Sequence, residues 1–254
     1  MKNSIPAALF NPVLALSGRR TACRPILPGE IHGVQTFAGA QVPSTKQTLS
    51  PTDGHLSLFF FVRGNGVVTV GEDSFAIAPW SLFIPAFQSG VTFLSDPASP
   101  LEFLEIVLQL AAEDGEDLKR KPSRLPYFIR YADCKTYKEA IKSEKTISRT
   151  LVPENIVPRF CMGSVETTGP DVVGAHKHPM LEQLFFGLAQ NDCVVKADST
   201  ETAFGEWVLL HIPIGSEHGV RVDAGRRLHY LWLDFFKDKA GVEWISKMHT
   251  PNEK

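Results

Sequence analysis

Two stretches limit what this chain can fold into: Gly174 to Glu182, GAHKHPMLE, and Glu206 to His218, EWVLLHIPIGSEH. If the first is extended, His176, His178 and Glu182 fall at i, i+2 and i+6 and share one face of a sheet. A helix would split the histidine pair. Pro179 holds His178 to an extended backbone, and His218 follows a Pro213-Ile-Gly215 turn. Three imidazoles with one carboxylate form a closed set of four candidate ligands. They suit one divalent transition metal, Fe, Mn, Ni or Zn, with Cu or Co also accommodated; no thiol accompanies them, which argues against an iron–sulfur or Cys-zinc site. The competing account is a hairpin carrying surface histidines and a solvated glutamate.

The first stretch resembles the first motif of the cupin superfamily, HxH followed by Glu. Pro213-Ile-Gly215-Ser-Glu-His218 resembles the second, PxGxxH, and Gly205-Glu206 stands where the family turns ahead of that strand. The resemblance implies an all-β fold of double-stranded β-helix (jelly-roll) barrels, with His176, His178, Glu182 and His218 as metal ligands. One departure is Ala189, where the family commonly has a glycine; Asn191-Asp192 offers a turn instead.

The first half repeats the order without the ligands. From His55 to Ser95 short apolar strands alternate with turns at Gly64-Asn65-Gly66 and Gly71-Glu72-Asp73. Leu101 to Leu110 reads as a further strand. If Gly64 aligns with the motif glycine, the ligand positions fall at Pro51, Asp53 and Ser57, with Gly90 for the last histidine. Asp53 and His55 could make only a minimal site. Phe59, Phe61, Phe83 and Phe87 would fill the barrel as a core or, alternatively, line a hydrophobic ligand site. The expectation is therefore two tandem barrels with minor peripheral helices: 1–118, carrying an N-terminal arm, and 119–254, carrying the metal.

Between them, residues 111 to 125 read as a charged linker, with Arg124 to Asp133 opening the second unit. Tyr137 to Ile147 reads as a short outer helix and Lys237 to Lys254 as an amphipathic tail around Val242, Trp244, Ile245 and Met248. With 26 basic against 28 acidic residues, no strong field recommends nucleic acid. No apolar run is long enough for a bilayer, and Asn11-Pro12 interrupts the one N-terminal stretch that resembles a leader. A soluble cytoplasmic protein is expected, with export the alternative. The cysteines Cys23, Cys134, Cys161 and Cys193 form no CxxC pair and read as free buried thiols. A homodimer through N-terminal strand exchange is expected.

Around the ligands, Leu184 and Phe186 are expected to share the inward face of Glu182, with Gln183 on the outer face or supporting a ligand. Lys177 reads as a solvated lysine between two ligands. His211 and Tyr230 are the candidate catalytic residues, and Tyr230, Trp232 and Asp234 share one face of the last strand. The function expected from the resemblance is a metal-dependent small-molecule enzyme of dioxygenase, isomerase, lyase or hydrolase type. A non-catalytic sugar- or metabolite-binding protein with two such barrels is the alternative, and a seed-storage-like protein lacks the Gln/Asn/Arg-rich tracts it would need. Fold alone does not choose among these.

Overall fold

The structure, a computed structural model, describes residues 4–13 and 16–248, without the side chains at 123 and 244–248. It is all-β, and the chain divides into two compact units, Phe10–Cys134 and Met1–Leu9 with Lys135–Lys254. In chain order come β1 (Ala7–Leu9), β2 (Thr21–Pro25), β3 (Val34–Gln41), β4 (Lys46–Leu49), β5 (His55–Arg63), β6 (Gly66–Val70) and β7 (Asp73–Ile77). β8 (Ser81–Ile84), β9 (Val91–Ser95), β10 (Leu101–Gln109), helix α1 (Ala112–Arg120) and β11 (Tyr127–Arg130) complete the first unit. The second continues with β12 (Lys135–Tyr137), β13 (Ile147–Val157), β14 (Phe160–Thr168), β15 (Asp171–His176) and β16 (Leu181–Gly187). It ends with β17 (Asp192–Ala197), β18 (Thr200–Gly205), β19 (Val208–Ile212), β20 (His218–Val222), β21 (Arg227–Phe236) and α2 (Lys239–Met248).

Each unit is a jelly roll of two antiparallel sheets, and the two repeat one plan. The first has sheets β11-β8-β5-β10-β3-β2 and β4-β9-β6-β7; the second has β1-β19-β16-β21-β14-β13-β12 and β15-β20-β17-β18. Every strand of the shared core is answered by one eleven places later, so β5 corresponds to β16 and β9 to β20. Alternation drives this pairing, because one face of each strand must be buried. β1 lies on β19 of its own chain, Ala7 opposite Leu210, and β11 covers the corresponding edge of β8, Tyr127 opposite Ile84. Covering an edge strand removes a template for unwanted pairing.

Several boundaries differ from the sequence expectations. The charged stretch folds as α1, whose acidic first turn (Glu113, Asp114) and basic last turn (Lys119, Arg120) complement the helix dipole while Leu118 is buried. Arg124 to Asp133 belongs to the first barrel because β11 pairs with β8. Residues 138 to 146 are not helical. There Gly174 donates its N–H to the Ile141 carbonyl, and Lys142 forms an ion pair of 2.6 Å with Glu139, both side chains largely buried. Tertiary pairing has overridden a helical propensity. Of the C-terminal tail, Val242 packs against Cys161, Leu181 and Phe236, while the side chains of Trp244, Ile245 and Met248 lie outside the described residues. All four cysteines are free; three are buried and Cys23 is exposed. Among the described residues no helix is long and apolar enough to cross a membrane.

The first barrel is filled by Phe59, Phe61, Phe83, Phe93 and Phe103. Phe87 lies outside this cluster, half-buried. Gly64, at the turn after β5, has φ +85°, and a Cβ there would meet the Pro100 carbonyl oxygen at 2.1 Å. Gly64→Ala is therefore expected to destabilise the protein by about 1–3 kcal/mol, combining left-handed backbone strain with a clash against rigid main chain. The urea midpoint reads this directly, and an unchanged midpoint would contradict the clash.

Candidate metal centre

Three of the four expected ligands meet inside the C-terminal barrel. His176 ends β15, His178 follows it, and His218 opens the neighbouring β20, where His176 and His218 are register partners. One donor atom from each ring lies within 4.8 Å of the others. The ring centroids are 4.4 Å apart for His176–His218, 4.8 Å for His176–His178 and 5.4 Å for His178–His218. The Pro213–Ser216 turn is pinned to this cluster, because Gly215, at φ +74°, donates its N–H to the His178 carbonyl.

The tautomers are set by main chain. His176 Nδ1 lies 2.8 Å from the Gly174 carbonyl and His218 Nδ1 lies 3.0 Å from that of Ser216. A carbonyl can only accept, so each Nδ1 carries the proton and each Nε2 keeps its lone pair. His218 Nε2 is buried and has no hydrogen-bond partner. Burial, then the neighbouring His176, pushes the His218 pKa down to about 4, against smaller opposing effects of the Ser216 carbonyl and Asp198. Neutral imidazoles with converging lone pairs are what a divalent metal requires. This donor set fits the metal that the sequence leads one to expect.

Glu182 does not join them. Its Oε2 accepts from His211 Nε2 at 2.8 Å and from the Ile214 N–H at 3.0 Å. The physical reason is the turn between Lys177 and Met180, which interrupts the strand and resets its alternation. On β16 the inward residues are Gln183 and Phe185, the latter in the barrel core with Leu210, Ile212 and Tyr230. Glu182, Leu184 and Phe186 take the opposite face, and His211, register partner of Leu184, goes with them. The expected inward placement of Glu182, Leu184, Phe186 and His211 is corrected accordingly. Tyr230 does face inward, with its ring 4.8 Å from Phe185 and 5.6 Å from Phe204. Lys177 is exposed, as expected.

A polar group that the sequence reading left mostly unassigned lines the same interior. Gln183 Nε2 donates to Asp234 Oδ1 at 2.7 Å, and the Cys161 thiol lies 4.0 Å from Asp234 Oδ2. Burial above all pushes the Asp234 carboxyl up to about 7. Lys142 reaches Ser148 Oγ at 3.0 Å as well as Glu139. Gln183 lies one residue past the glutamate that the motif nominates, and Asp234 shares a face with Tyr230; those two spacings were the available signals. In the first barrel the corresponding positions hold no comparable cluster among the described residues. There Ser57 Oγ donates to Glu105 at 3.0 Å, and Asp53 accepts from Gln88 at 3.2 Å near the surface.

Fold and site together define an all-β protein of two jelly-roll barrels with one histidine cluster, in the C-terminal barrel, among the described residues. No protein-family model and no curated protein sequence matches the chain. Solved structures do. A putative glyoxylate-induced protein from Pseudomonas aeruginosa superposes with a TM-score of 0.69 at 12% identity, over 84% of this chain and 79% of that one. Protein Ylba from E. coli gives 0.69 at 9%, over 92% of each. A cupin 2 conserved barrel domain protein from Leptotrichia buccalis gives 0.64 at 14%, over 93% and 99%. At such identities the likeness concerns the fold.

Proposed function

We propose that this chain is a metal-dependent enzyme acting on a small molecule at a three-histidine centre in its C-terminal barrel, with chemistry of the dioxygenase, isomerase, lyase or hydrolase type. The observation that carries the reading is the buried His218 Nε2, without a partner and clustered with the donor atoms of His176 and His178. Leaving such an acceptor unsatisfied costs about 1–3 kcal/mol, and a metal ion removes that cost. On a five- or six-coordinate ion, three or even four protein ligands leave positions open for water or substrate. A bound divalent transition metal would polarise an oxygen donor or lower the pKa of water.

The residues of this chain orient the ligands, through the Gly174 and Ser216 carbonyls, and exclude water, through Phe185, Phe204 and Tyr230. Tyr230 is the polar side chain of that wall and is retained as the candidate catalytic residue. His211 is committed to Glu182 on the other face and takes no part in this reading. The substrate is a small molecule, and the near-balanced charge gives no reason to expect nucleic acid or membrane partners. A cytoplasmic homodimer remains the expected form. The apolar wall also favours a second reading, a non-catalytic metabolite-binding protein.

Elemental analysis of the purified chain tests the first step. About one equivalent of transition metal is expected in the wild type and none in His176→Ala, with unchanged circular dichroism. Stoichiometric metal retained in the variant would sink the assignment. Iron, manganese, nickel or copper would leave oxygen chemistry open, whereas zinc would point to hydrolysis or isomerisation.

A further inference from the structure

Besides His218 Nε2, a second buried acceptor in this barrel has no partner: Gln183 Oε1. Gln183 is 5% exposed and lies on the inward face of β16. The next inward residue is Phe185, whose ring centroid is 5.9 Å from that of His218. The amide is not free to turn, because its Nε2 donates to Asp234 Oδ1. That bond occupies Nε2 and leaves Oε1, buried, as the end with no partner. An amide oxygen is a competent neutral ligand for a divalent ion.

Charge is the other half of the argument. The carboxylate that the motif offers to the histidines, Glu182, is held on the opposite face by His211 and the Ile214 N–H, and Asp198, which acts on His218 electrostatically, is occupied by the Ser216 hydroxyl and the Glu217 N–H. Glu139, further along the interior, is matched by Lys142 at 2.6 Å. A dication held only by neutral donors in a low-dielectric barrel keeps its full charge and favours an anionic partner.

We propose that Gln183 Oε1 completes the ligand set begun by His176, His178 and His218, and that the resulting neutral-donor centre takes its substrate as an anionic oxygen donor, a carboxylate or enolate. This rests on the metal reading above. Asp234 is then a positioning residue that acts through Gln183.

The test uses the full chain loaded with Co(II) and read by its visible absorption, with formate as the anionic probe. Formate is expected to shift the wild-type bands. Gln183→Leu should alter the bands before any formate is added, since an oxygen ligand is lost. Gln183→Glu should weaken formate binding by about tenfold or more, because a carboxylate cancels one charge at the ion. Glu182→Gln should leave formate affinity unchanged; this position is partly exposed and does not depend on refilling the core. Unaltered bands in Gln183→Leu, equal formate affinity in Gln183→Glu, or a tenfold gain in Glu182→Gln would each overturn the inference. A wild type that fails to bind Co(II), or a His176→Ala variant that binds it equally, would overturn the metal reading itself.

Discussion

Phe93→Ala is expected to destabilise the protein by about 3–5 kcal/mol, making it among the most damaging single substitutions in the first barrel. Phe93 is fully buried. Its ring centroid lies 4.9 Å from that of Phe59, 5.9 Å from Phe61 and 5.9 Å from Phe103, edge-on to the first two and stacked on the third. Truncation removes the aromatic pairs along with the buried area, and the surrounding rings, fixed on β5 and β10, cannot collapse into the space. Urea denaturation gives the magnitude. The same measurement decides between the two accounts of this barrel's aromatic lining: a core predicts the full loss, whereas a site with room for a hydrophobic ligand predicts only the transfer term, about 1.5–3 kcal/mol, since the cavity is already present. The structure favours the core, with five phenylalanines meeting in one cluster.

The repeat could be read from the sequence because alternation and turn residues are local signals. Leu101 to Gln109 is a strand as expected, and the Gly64 and Gly215 turns fall where they were placed. The histidine trio was legible for a similar reason: its partners come from two short motifs, and the carbonyls that orient His176 and His218 lie two residues upstream of each ring. The fourth position was not legible. An i, i+2, i+6 pattern carries a face assignment only through an unbroken strand, and Lys177 to Met180 breaks it, so Gln183 rather than Glu182 turns inward. The segment from 138 to 146 failed differently. Its lysines and glutamates look like a solvated helical face, and only the assembled barrel shows Lys142 and Glu139 paired and buried. Likewise α1 hides in a charge run because a single apolar residue, Leu118, anchors it.

Asp234→Asn is expected to change how stability depends on pH rather than merely lower it. Burial, with Glu139 and Glu154 acting in the same direction and Gln183 and Lys142 opposing, raises the Asp234 pKa from an ordinary 3.8 to about 7. Between these values the native carboxyl holds a proton that the unfolded chain has released. Stability therefore falls as pH rises through this window, by about 4 kcal/mol from this group alone. His218, pushed down from 6.5 to about 4, and His229, also lowered by burial, act in the opposite sense. Their contribution is present above pH 6.5 and is lost as pH falls toward 4. In metal-free wild type the opposing slopes partly cancel. Asparagine keeps an acceptor for Gln183 Nε2 and removes the titrating group, so the variant should gain stability relative to wild type as pH rises from about 4 to 7, and its own curve should climb toward neutrality. Urea midpoints of the chelated proteins at a series of pH values measure this. Parallel wild-type and variant curves would mean that Asp234 is already ionised in the folded protein at pH 5.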